Sequence, residues 1–126
     1  MSITVSTALG NAILDLIDTT INAGAAAGDI QIATSSAFTT ILAVFTLNDP
    51  AFGAADAKSM ALDVDPAIST TVLTDGTAAN MRFRDSDGTE ALRGTVGTSN
   101  ADLIFDAVVW TENGTVTITT GALSIA

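Results

Sequence analysis

The side chains of this chain best equipped for chemistry gather in one stretch, "NMRFRDSDGTEALRG", residues 80–94. Arg82, Arg84 and Arg93 are three of its four cationic residues, and they stand beside Asp85, Asp87 and Glu90. Such a mixture admits three chemistries. "DSDG" looks like a fragment of a calcium loop, because hard cations are held by several carboxylate and carbonyl oxygens. Carboxylates beside arginines can form a catalytic cluster with shifted pKa values. A tight hairpin also takes Asp and Gly at its turn, with opposite charges across the strands helping to fix the register.

The rest of the sequence narrows these choices. An EF-hand loop needs ligands at several fixed positions ending in a bidentate Glu, with helices on both sides. Here Glu90 follows too soon and strand-like alternation flanks the loop, so the hairpin turn is the expected structure and no metal is expected. Asp63 and Asp65, like Asp85 and Asp87, would share one face of a strand and could act as paired carboxylates. A glycosidase would also need an aromatic sugar platform, and the chain has one Trp and no Tyr. The absence of His and Cys removes the commonest general base and thiol chemistry, and no Ser-x-x-Lys motif activates a hydroxyl. The reading is of a protein that is not an enzyme, with no cofactor. For Arg82 and Arg84 two roles stay open: pairing across their own hairpin, or forked recognition of carboxylates on a partner, including another copy of this acidic chain.

Composition points the same way. The 126 residues suit one domain with its own core, and disulfides contribute nothing. Fourteen acidic against four basic residues give a net charge of -10, which repels nucleic acid and anionic lipid. No apolar run approaches the roughly 20 residues needed to cross a bilayer. The opening residues lack a basic region, and Asp15 and Asp18 interrupt their apolar run, so they make a poor signal peptide. Synthesis in the cytoplasm is expected, and "NGT" at Asn113 reads as a turn rather than a glycosylation site.

The elements that must position these residues follow from periodicity. Residues 1–5 alternate like a strand and form an extended arm, whose Ile3 and Val5 are candidate contacts with the domain's own sheet or a neighbour. Over residues 6–23, Leu9, Ile13, Leu16, Ile17 and Ile21 recur as a helix stripe, with Asn11, Asp15, Asp18 and Asn22 elsewhere on the wheel. Ser6 or Thr7 can cap its start and Gly24 can end it.

From residue 29 to 126 the period becomes two. "DIQIAT" pairs Ile30 with Ile32, and "TTILAVFTL" is apolar on both faces, as in a central strand. Residues 58–64 and "TTVLT" give shorter strands. "ANMRFR" turns Met81 and Phe83 inward and Arg82 and Arg84 outward, and residues 90–96 return after the turn. Residues 103–110 read as a third long strand, joined through "ENG" to "TVTITT" as a type I′ hairpin. About seven or eight strands with one N-terminal amphipathic α-helix predict a mainly β fold, an antiparallel β-sandwich or barrel, in a single domain.

Three stretches, "STALGNAILDLIDTTINAG", "LNDPAFG" and "RFRDSDGTEALRGTVGTSNADLIF", together resemble a group of small virion proteins encoded among the head and tail morphogenesis genes of tailed bacteriophages. The likeness spans residues 6 to about 118 and rests on turn and strand signatures. It implies a capsid decoration, or cement, protein on the outer surface of the head. Its implied partners are the major capsid protein and sister copies, as a homo-oligomer such as a trimer. The opening helix departs from the better-known decoration folds, which leaves a tail or head-to-tail connector role as an alternative. From a different class, the "DSDG" loop would suit a calcium- or carbohydrate-binding adhesion module.

Overall fold

The computed structural model describes residues 3–124. The fold is mainly β with one N-terminal helix, as its periodicities predict. Helix α1 (Thr7–Ile21) is followed by eleven short strands: β1 (Asp29–Ala33), β2 (Ile41–Thr46), β3 (Ser59–Ala61), β4 (Ile68–Thr71), β5 (Gly76–Thr77), β6 (Asn80–Arg84), β7 (Glu90–Gly97), β8 (Leu103–Ile104), β9 (Val109–Trp110), β10 (Thr115–Ile118) and β11 (Ala122–Ser124). Five of them form a sheet in the order β2-β1-β6-β7-β8. The others form three two-stranded ladders, β10-β4, β11-β3 and β5-β9.

Alternation decides what the main sheet buries. In register, Ile30 faces Phe45 and Phe83, and Ile32 faces Ala43 and Met81. All six are buried, so these positions form the inner face. Phe52 lies 5.6 Å from Phe83 between ring centroids. Phe105 stacks on Phe45 at 6.1 Å and meets Trp110 edge-on at 5.1 Å. Leu14 and Ile21 from the helix complete the cluster.

The helix turns a different face inward from the one its leucines predict. Ser6 caps it, its hydroxyl accepting from the Leu9 N–H at 3.1 Å. Gly10, Leu14 and Ile21 are buried, whereas Leu9 and Leu16 are 52% and 66% exposed. Polar side chains select this face. Asn11 Oδ1 accepts the Lys58 N–H at 2.8 Å, Asp18 Oδ1 accepts the Phe52 N–H at 3.2 Å, and Asn22 Oδ1 accepts the Ala51 N–H at 2.9 Å. The irregular chain between β2 and β3 thus has backbone donors satisfied by the helix, and buried donors must find such partners. Asn22 is the C-cap, and Gly24 follows at a φ of +101°.

Several strand assignments change. Residues 103–110 do not form one strand. They divide between β8, which runs parallel to β7, and β9, which pairs with β5, so the sheets are not wholly antiparallel. The "ENG" turn does not close a hairpin: Asn113 has the positive φ of +70°, but β10 leaves the turn to pair with β4. β2 is an end strand of the main sheet rather than a central one. Its two-sided apolar pattern is still used, since β4 lies beside it and the Leu73 N–H donates to the Leu42 carbonyl at 2.7 Å. The strand read over residues 58–64 shrinks to β3, with Leu62 in an isolated bridge to Phe52.

Candidate functional site

The hairpin β6-β7 forms as its alternation dictates: Met81 and Phe83 are buried and Arg82 and Arg84 lie on the outer face. "DSDG" is its turn. Asp85 Oδ1 accepts the Asp87 and Thr89 N–H groups, both at 2.9 Å, and Gly88 takes a φ of +85°. Asp63 repeats the device, accepting the Asp65 N–H at 3.1 Å. Both carboxylate pairs therefore sit in turns rather than on strand faces, with one member of each bound to backbone. Among the described residues, no three potential metal-ligating side chains converge.

The arginines find partners within their own sheet. Arg84 forks onto Asp29 of β1, with Nε and Nη2 at 2.8 and 2.7 Å from the two carboxylate oxygens. Hydrogen bonding to Asp29 is the largest cause raising the Arg84 pKa above its ordinary value, against desolvation. Arg82 Nε donates to Gln31 Oε1 at 2.7 Å, which satisfies a buried polar side chain.

Arg82 and Arg93 face each other directly across the ladder, an arrangement that repels when nothing intervenes. Two things intervene. Glu90 accepts from Arg93 Nε at 2.9 and 2.8 Å and from Arg82 Nη1 at 3.4 Å. The Phe38 ring lies 4.4 Å from the Arg82 guanidinium and 5.0 Å from that of Arg93, a cation–π position for both. Phe38 holds a φ of +54°, uncommon for an aromatic residue, and Arg93 Nη1 ties the same loop down through the Ser36 carbonyl at 2.7 Å. Hydrogen bonding from Arg93 is the main cause holding the Glu90 carboxyl below its ordinary range, and the same bond raises the Arg93 pKa.

A second surface lies on the helix and the arm. Ile3 is 81% exposed, Leu9 and Leu16 project outward, and Ile13 is half-buried beside them. Residues 3–5 join no strand, and the Val5 carbonyl accepts from Lys58 Nζ at 3.0 Å. All charged side chains of the chain fall between Asp15 and Glu112, so this surface carries none of its own up to Asp15. A third feature is a groove of about 460 Å³ whose floor includes Phe105 and Trp110 and whose walls include β9 and β10.

No protein family, curated protein or solved structure matches the chain.

Of the four residues singled out as contacts, the structure brings Arg82 and Arg84 together on one sheet face and leaves Ile3 and Val5 on the arm. Phe38 and Asp29 were not singled out. Phe38 sits in a polar loop with no periodicity to mark it. Glu90 reaches its arginines through a bulge: the register shifts between Phe83 and Arg84, so Glu90 opposes Arg84 while Leu92 opposes Phe83. Strict alternation would have put Glu90 on the Leu92 side.

Proposed function

We propose that this protein is a structural component of a tailed-phage virion, a decoration protein that binds the outer surface of the head and bridges capsomers. Its partners are the major capsid protein and sister copies, and its place is the capsid surface after synthesis in the host cytoplasm. The observation that carries this reading is an exposed apolar surface, Ile3, Leu9 and Leu16, whose one charged residue in sequence is Asp15, in a chain of net charge -10. Such a surface can be buried against protein with Asp15 left at its rim, where a charge stays hydrated. The resemblance of "STALGNAILDLIDTTINAG" and its two companion stretches to phage morphogenesis proteins supplies the setting.

The test is binding to preformed capsids. Deleting residues 1–5, or making Leu16→Asp on the exposed helix face, should lower capsid occupancy while the circular dichroism of the domain stays the same. Unchanged occupancy in both variants sinks the proposal. Copy number per particle separates this role from a tail or connector role, since a shell protein follows the capsomer lattice and an axial protein forms a single ring.

A further inference from the structure

We propose that residues 3–5 of one copy insert as a strand between β9 and β10 of a second copy, so that the protein assembles with itself through its arm. The proposal rests first on the ladder geometry of β10. The Val72 N–H donates to the Gly114 carbonyl at 2.8 Å, which sets the phase of the antiparallel pair with β4. In that phase Val116 and Ile118 turn their backbone groups to Thr70 and Ile68, and Thr115 and Thr117, both lining the groove, turn theirs away from β4. β9 stands in the same relation to β5. The Ala78 N–H donates to the Val108 carbonyl at 2.7 Å, so Val109 directs its backbone groups away from β5. Among the described residues neither strand has a partner on its second edge. Two open edges therefore border one groove, and an open edge is a template for another strand.

The groove also has the side-chain character that an alternating strand requires. Its floor includes Phe105 and Trp110, and Val109 on its wall is 76% exposed. An extended arm places Ile3 and Val5 on one side and Thr4 on the other, so both apolar side chains can face that floor while the threonine faces water.

Charge selects the occupant. Two copies at -10 repel, and contact is least unfavourable where neither surface carries charge. The arm precedes the first charged residue, Asp15, and β10 follows the last, Glu112. One groove residue, Asp106, is acidic, and the arm brings no carboxylate to it.

Because the chain contains no cysteine, disulfide trapping reports the contact directly. Full-length protein carrying Ile3→Cys is mixed with protein carrying Val109→Cys under mild oxidation, with each variant alone as control. A covalent heterodimer exceeding either homodimer is the expected result. Light scattering across concentration should show self-association of the unmodified chain, and Thr115→Pro, which removes an N–H turned away from β4, should weaken it by about tenfold or more. Ile3→Asp, in an exposed segment outside the core, supplies the same test should the proline variant fail to fold. A monomer at all concentrations overturns the proposal. So does a chain carrying both cysteines that closes on itself without dimers. The experiment contains no capsid: failure here leaves capsid binding standing, and self-association without capsid occupancy sinks the proposed function alone.

Discussion

Replacing Asn22 with alanine tests how the helix is held. The Asn22 carbonyl oxygen accepts the Ala51 N–H at 2.9 Å, and Ala51 is fully buried, so the substitution leaves a donor where water does not reach. An orphaned buried donor costs about 1–3 kcal/mol. Asn22 Nδ2 also donates to Asp18 Oδ1 at 3.0 Å, and losing that bond frees the carboxylate that receives the Phe52 N–H. Asn22 is the C-cap, so the helix-propensity gain of alanine offsets at most a few tenths of a kcal/mol. A net loss of about 1–2 kcal/mol follows, or a fall in Tm of roughly 4–8 °C for a chain of this length. Urea and thermal unfolding followed by circular dichroism would measure it, with Asp15→Ala on the exposed side as control, expected within about 0.5 kcal/mol of the parent. Asp18→Ala combined with Asn22→Ala should cost less than the sum of the two, because the residues share a bond. If Asn22→Ala behaves like Asp15→Ala, polar docking of the helix is wrong.

Three further outcomes are expected. Glu90 has its folded pKa depressed below the ordinary 4.5, so its stabilising contribution is full above that value and is lost as pH falls through the lower folded pKa. The urea midpoint should therefore drop more between pH 6 and pH 3 in the parent than in Glu90→Gln, and equal drops would contradict the role given to Glu90. Gly28→Ala should be strongly destabilising, by about 1–3 kcal/mol or more, because the new Cβ meets the Arg84 and Ile21 carbonyl oxygens, both of them backbone, as unfolding curves would show. Self-association measured by light scattering should strengthen between about 0.1 and 1 M salt, where the Debye length falls from about 10 to 3 Å; weakening would indicate that charged contacts carry it.

Local patterns made much of the fold legible. Alternation placed Ile30, Ile32, Met81 and Phe83 inside, and Asp and Gly placed the turn between β6 and β7, because each signal acts within a few residues. The helix face was misread for a physical reason. Leaving Asn11, Asp18 and Asn22 off the packing stripe ignores that the chain between β2 and β3 has backbone donors in need of acceptors and finds them on the helix. The division of residues 103–110 was hidden because both halves are apolar for separate reasons: Leu103 is buried in the end strand of the main sheet, while Trp110 closes a different ladder against β5. The site was legible in its charges and turn but not in its geometry, since a one-residue bulge moves Glu90 to the other face and Phe38 arrives from a loop without periodicity.

The disposition of charge bears on which surface can meet a partner. With three arginines engaged by Asp29, Gln31 and Glu90, the hairpin that first looked like a recognition site has its guanidinium groups already occupied. Arg84 offers a partner's carboxylate only the N–H groups left over from its part-buried fork onto Asp29, and Arg82 those left over from Gln31 and Glu90. The fourth cation, Lys58, is held at the Val5 carbonyl. The charge that remains outward is mostly carboxylate, and it is sparse along the arm, the outer helix face and the β9-β10 groove, where Asp15 and Asp106 are the acidic residues. Those weakly charged surfaces are where a protein of this charge can approach another protein with the least electrostatic cost, and they also hold Ile3, Leu9, Leu16 and Val109 and the open edges of β9 and β10.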